Sequence, residues 1–372
     1  MASGGSQQLE TSVTVEIYST DTDSGQITVI RKDGPSAHEV RKEISVGNAP
    51  RGSVKFTRDG RGFVSNTSTN TVSELDALTR REVARITVGS GPRGLGIVPG
   101  ERYLLVSNSG SNTVSVVDLE SRTELTQVAV ARDPRHMAIS KDGRHAYVCI
   151  WGSGYIAKLD LSGLVDEGRP ETIREVARIH IGEDSFPYSL NIDRTGKRAY
   201  VACNAIAEMP VIDLETDTVI ARVPVLADGG RAVAFTTDNR YALLTLERNS
   251  VIAVVDTDEL KATRNIPVGP GPRGIAVDDN DGTVYCGISA RTVPDDDQVE
   301  FKFSPHTLTV VHLDGVDLSM SAEEGGQVQY DEIKVGYGPC SVSVFDAAEI
   351  SYDGTKLNQA AAQLSEGAKA AG

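Results

Sequence analysis

The chain has 372 residues, with 52 acidic against 37 basic side chains and a formal net charge of −15. Such a surface repels nucleic acid and anionic lipid, and no apolar run approaches the ~18 residues that a membrane-spanning helix needs. Residues 1–12 carry neither a basic n-region nor an apolar h-region, so no signal peptide is read there and a cytoplasmic monomer is expected.

Taken in order, residues 1–11 are small and polar and are expected to be a disordered tail. Three short alternating runs follow, Val13–Tyr18, Gln26–Ile30 and Glu39–Ile44, each with the period-2 pattern of a half-buried strand. From Val46 onward the chain repeats itself. VGNAPRG at Val46, VGSGPRG at Val88 and VARDPRH at Val130 are each offset by 42 residues, and further copies open at Ile181, Val225, Val268 and Val335. A repeat at fixed period decides an architecture before any other signal does.

Within the second copy the spacing predicts four strands: Leu95–Val98 (a), Tyr103–Ser107 (b), Thr113–Val117 (c) and Glu124–Val130 (d). The pairs Asp59-Gly60, Asp142-Gly143, Thr195-Gly196, Asp238-Asn239 and Asp281-Gly282 suit a–b turns that need positive φ. Strand c closes on Asp76, Asp118, Asp160, Asp213 and Asp256, each read as capping its own turn, with His312 in the sixth copy. Two copies are lengthened: Ser162–Thr172 extends the third c–d loop, while Arg291–Pro305 and Gly315–Asp331 extend the sixth copy's b–c and c–d loops.

The last copy supplies one strand, Cys340–Phe345, and then runs into a polar and Ala-rich end. The three N-terminal strands are the pieces it lacks. One blade built from both termini would close the ring and remove an exposed edge. The expected fold is therefore all-β, a single seven-bladed β-propeller over residues 12–357, with a disordered tail at 358–372. The cysteines Cys149, Cys203, Cys286 and Cys340 show no CxxC spacing and read as small hydrophobes.

PRG at 50–52, 92–94 and 272–274, FVSN at 63–66, LVSN at 105–108, and NTVS at 70–73 and 112–115 make the chain resemble the YVTN β-propeller repeat family. The resemblance covers nearly the whole chain and implies the propeller. Relatives of this kind include surface-layer, periplasmic and cofactor-associated proteins, and similar propellers include lactonases, so it names no chemistry and no cofactor.

The residue after each copy's proline is expected at the mouth of the central channel: Arg51, Arg93, Arg135, Tyr188, Arg231, Arg273 and Cys340. Five guanidiniums converging there would trap a carboxylate or phosphate. The same arginines can equally serve the repeat itself, bonding loop carbonyls or acids of the next blade. Departures from symmetry single out His136, Tyr188 and Glu247 as candidate proton-transfer residues. Trp151, with Asn66 and Asn108, completes the candidate ligand contacts. Asp295, Asp296 and Asp297 match no calcium-loop spacing, and no metal site is expected. GxSxG, HExxH, P-loop and strand-linked GxGxxG motifs are absent from the sequence. Three readings remain: a module binding a small anion or a partner's acidic group, a hydrolase, lactonase, lyase or isomerase acting on an anion in the same pocket, or a protein-interaction scaffold.

Overall fold

The computed structural model describes residues 15–34, 36–289 and 306–347. They form seven four-stranded antiparallel sheets arranged as blades. Blades are numbered here by the repeat copies, so blade 1 begins at Pro50 and blade 7 is the shared one.

In the second copy the strands run Pro92–Ile97, Tyr103–Asn108, Thr113–Asp118 and Thr123–Ala129, each within three residues of the sequence expectation at either end. The a–b turns carry positive φ at Gly60, Gly143, Gly196, Asn239 and Gly282, as their residue types demand. The strand-c aspartates cap their turns. Asp118 Oδ1, for example, accepts the backbone N–H groups of Glu120 at 3.0 Å and Ser121 at 2.8 Å.

Blade 7 is assembled from both ends of the chain. Pro339–Asp346 pairs with Val15–Asp21, followed by Gln26–Gly34 and Ala37–Ser45. The apolar cores lie between blades. One joins Phe63, Val72 and Ile86 of blade 1 to Leu95, Leu104 and Val106 of blade 2. Another joins Tyr285 and Leu308 of blade 6 to Ile17 and Val342 of blade 7. Each fully buried aliphatic or aromatic side chain contributes roughly 1.5–3 kcal/mol, and a third core, joining Tyr18, Ile27 and Val29 of blade 7 to Val54, Val64 and Leu75 of blade 1, holds the closing blade on its other flank.

The c–d extension of the third copy holds an unforeseen helix, Ser162–Glu167, which ends at Gly168 in the left-handed conformation. The expected insertion at 291–305 and both tails lie outside the described residues. Cys149, Cys203 and Cys286 are buried and unpaired, and Cys340 is half-buried.

Candidate functional site

Strand a of every blade is its innermost strand, and together these strands wall a central channel of about 810 Å³. The glycine of the PRG triplet belongs to this geometry. A Cβ on Gly94 would lie 2.6 Å from the Arg135 carbonyl oxygen of the next blade. His136 stands where that glycine would be in blade 3, and its imidazole reaches back over Gly52 of blade 1. With Tyr188, Arg231, Arg273 and Lys55, it lines the channel.

The five arginines prove unequal. Arg231 and Arg273 both donate to Glu247, whose side chain is 3 % exposed, with Arg273 Nε at 2.7 Å from Oε1. Arg135 pairs with Asp133 at 2.7 Å and lies over the Trp151 ring at 4.7 Å, while Trp151 itself packs on Phe186. Arg93 reaches only the Ser109 hydroxyl, at 2.8 Å. Arg51 has a buried Nε with no hydrogen-bond partner. Among the described residues, Arg51 and Arg93 thus have no ion-pair partner, the Asp133 carboxylate reaching Arg93 only through its charge, and the cluster as a whole is under-neutralised.

Electrostatics follow from this imbalance. Burial, helped by Arg135 and Arg51, pushes the Arg93 guanidinium down to about 10. Burial, then Arg93, Lys55, Arg135 and Arg51, lowers His136 to about 3, so its imidazole stays neutral. For Tyr188 burial works upward, yet Arg231, Arg273, Arg93 and Arg51 outweigh it and bring the phenol below its ordinary value. Its ring stacks 4.6 Å from the Arg231 guanidinium and 5.4 Å from the His136 ring.

The structure thus gathers Arg51, Arg93, Arg135, His136, Trp151, Tyr188, Arg231, Glu247 and Arg273 around one end of the channel. It leaves Asn66 and Asn108 elsewhere. Both are fully buried in their b–c hairpins, donating to Ser73 at 2.8 Å and Ser115 at 2.7 Å, and they brace loops instead of facing a ligand. Glu247, with its carboxylate held by two guanidiniums, organises the wall. Sequence reading passed over Asp133 and Lys55. Counted from the repeat's proline, Lys55 falls level with Ile97, Ile139, Ile192 and Val277, so the sequence carried only the signal of a lysine among apolar strand-a residues.

Among the described residues no group of three potential metal ligands occurs, and no helix is long and apolar enough to cross a membrane. No family model matches the chain, and no curated protein matches it. Solved structures do. The Pseudomonas aeruginosa periplasmic gluconolactonase is 17 % identical, with 89 % of this chain and 98 % of that one covered at a TM-score of 0.70. A candidate 6-phosphogluconolactonase of Bacteroides fragilis is 14 % identical, with 91 % and 99 % covered at 0.70. The Kuenenia stuttgartiensis hydrazine synthase is 19 % identical, with 80 % and 95 % covered at 0.64. At 14–19 % identity these likenesses establish the seven-bladed propeller.

Proposed function

We propose that the protein binds a small carboxylate- or phosphate-bearing molecule at the cationic end of its channel, with Arg51 and Arg93 as the anchoring forks. The observation that carries this reading is their lack of a carboxylate partner. Buried cations without counter-charge are costly, and an incoming anion recovers that cost. Tyr188, Trp151 and the neutral His136 form the wall that shapes the ligand. Placement of the chain in the YVTN repeat group belongs to the same proposal.

A second reading is catalytic, favoured by neighbours described as gluconolactonases and by an imidazole kept neutral beside guanidiniums. In lactone hydrolysis a water would attack the ring carbonyl, with the negative charge on oxygen stabilised by the arginines. The acyl–oxygen bond then breaks to give a hydroxy acid, whose carboxylate suits the same anchors. His136 or Tyr188 would carry the proton.

The test is thermal melting of the wild type and Arg51→Ala/Arg93→Ala across carboxylates, phosphates and lactones. A ligand at one hundred times its dissociation constant adds roughly 2.7 kcal/mol. Stabilisation that the double variant loses supports the site, and lactone consumption by the wild type would add the catalytic reading. An anion that protects both proteins equally would refute it.

A further inference from the structure

The seven blades are in register, and in each the strand-a residue paired with the fourth-from-last residue of strand b forms one tier of the channel wall. Six blades place small or short side chains there: Gly96, Ala138, Asn191, Ala234, Ala276 and Ser343. Blade 1 places Lys55, paired with Phe63. All seven line the channel. A single long side chain therefore reaches into space that six neighbours leave open.

Lys55 is also without an ion-pair or hydrogen-bond partner among the described residues. A lysine that packs for structure normally finishes on a carboxylate, as Lys158 does on Asp217 and Lys32 on Asp278. Lys55 instead ends near the His136 imidazole, on which its charge is second only to that of Arg93. Burial lowers its ammonium below the ordinary lysine value, which favours the free, nucleophilic amine.

We propose that Lys55 is a carbonyl-reactive amine, and that the channel accepts a small oxo acid, its carboxylate on Arg51 and Arg93 and its carbonyl carbon at Lys55 Nζ. This rests on the anion-binding reading of the same site and adds a class of ligand to it. The amine adds to the carbonyl to form a carbinolamine. The C–O bond then breaks, the oxygen leaves as water with the two hydrogens of the amine, and a C=N bond joins the ligand to the lysine. No oxidant or reductant is consumed.

The experiment incubates the full chain with pyruvate, levulinate or acetone in the presence of cyanoborohydride, then maps the reduced adducts on every lysine by peptide mass spectrometry. Melting in lactate, which offers a carboxylate without a carbonyl, runs in parallel. The expected result is labelling of Lys55 by at least one oxo acid at least tenfold faster than of any other lysine. Acetone should label it much more slowly, and Arg51→Ala/Arg93→Ala should erase that difference. If lactate stabilises the protein through Arg51 and Arg93 but Lys55 reacts no faster than surface lysines, the amine is inert; the proposal falls while the anion site stands. If lactate has no effect and acetone labels Lys55 as fast as the oxo acids, the anion reading fails and the oxo-acid assignment goes with it. Lys55→Met, which keeps an unbranched side chain, must lose the adduct; retention of the selective adduct on another lysine overturns the assignment.

Discussion

The Glu247 carboxylate accepts the Arg273 Nε–H at 2.7 Å across the boundary between blades 5 and 6, while its other oxygen holds Arg231. One acid thus serves two blades and is shared by two of the five channel arginines, cancelling one of their two charges. Arg51 and Arg93 are left without an ion pair among the described residues. This division of labour separates the arginines held in ion pairs from the two that the anion-binding proposal uses as anchors.

Glu247→Gln keeps the shape of the side chain but removes the charge that both guanidiniums share. Breaking a buried pair from one side costs about 3–5 kcal/mol. Urea unfolding should show a midpoint lowered to that extent, with the slope unchanged. A stable Glu247→Gln protein that loses only catalytic turnover would instead make Glu247 a proton-transfer residue.

Arg93→Met should behave in the opposite way. A base whose folded pKa lies below its unfolded one weakens the fold at every pH below the folded value, and Arg93 is lowered to about 10. At pH 7 that penalty is present in full. The variant should therefore melt at or above the wild-type temperature without ligand, yet gain less from phosphate or carboxylate. A lower melting point in plain buffer would mean that Arg93 braces the loop through Ser109 and is not an open anchor.

Blade 7 carries a pH dependence of its own. Asp21 occupies the hairpin position held by Asn66 and Asn108 in blades 1 and 2, accepting from Thr28 at 2.5 Å and from the Gly336 backbone at 3.1 Å. Burial raises it from 3.8 to about 6, against the opposing hydrogen bonds of Ser19 and Thr28. For an acid shifted upward, the folded state holds its proton longer than the unfolded one, so stability falls as pH rises from about 4 to about 6. The loss is roughly 3 kcal/mol. Asp21→Asn should match the wild type near pH 4 and melt higher at pH 7.5. Parallel melting curves across that range would refute the assignment.

The fold was legible because each copy restates the same local chemistry: a glycine or asparagine with positive φ in the a–b turn, an aspartate capping the turn after strand c. The closure was legible from what each end lacked. The site was legible only as a list. That Arg231 and Arg273 share Glu247 depends on packing between blades, which no local pattern encodes. Lys55 was hidden because its tier emerges only when strand a is registered through its bulge, between Arg51 and Lys55, onto strand b. The Ser162–Glu167 helix sits in an insertion with no counterpart in other copies, so no repeat could announce it.

His136 gives the most direct reading of the field inside the channel. Burial and then Arg93, Lys55, Arg135 and Arg51 bring it to about 3. The unfolded imidazole takes up a proton near 6.5 and the folded one does not until far lower, so unfolding binds a proton between those values. Stability is therefore lost as pH falls from about 6.5 toward 4, and His136→Gln should flatten that part of the curve. Imidazole NMR should show the His136 resonances unchanged from pH 8 to 4 in the free protein. Saturating phosphate, by offsetting Arg51 and Arg93, should move its titration upward into the accessible range. A His136 that titrates near 6.5 without any anion would place it outside the cationic field and remove it from the site.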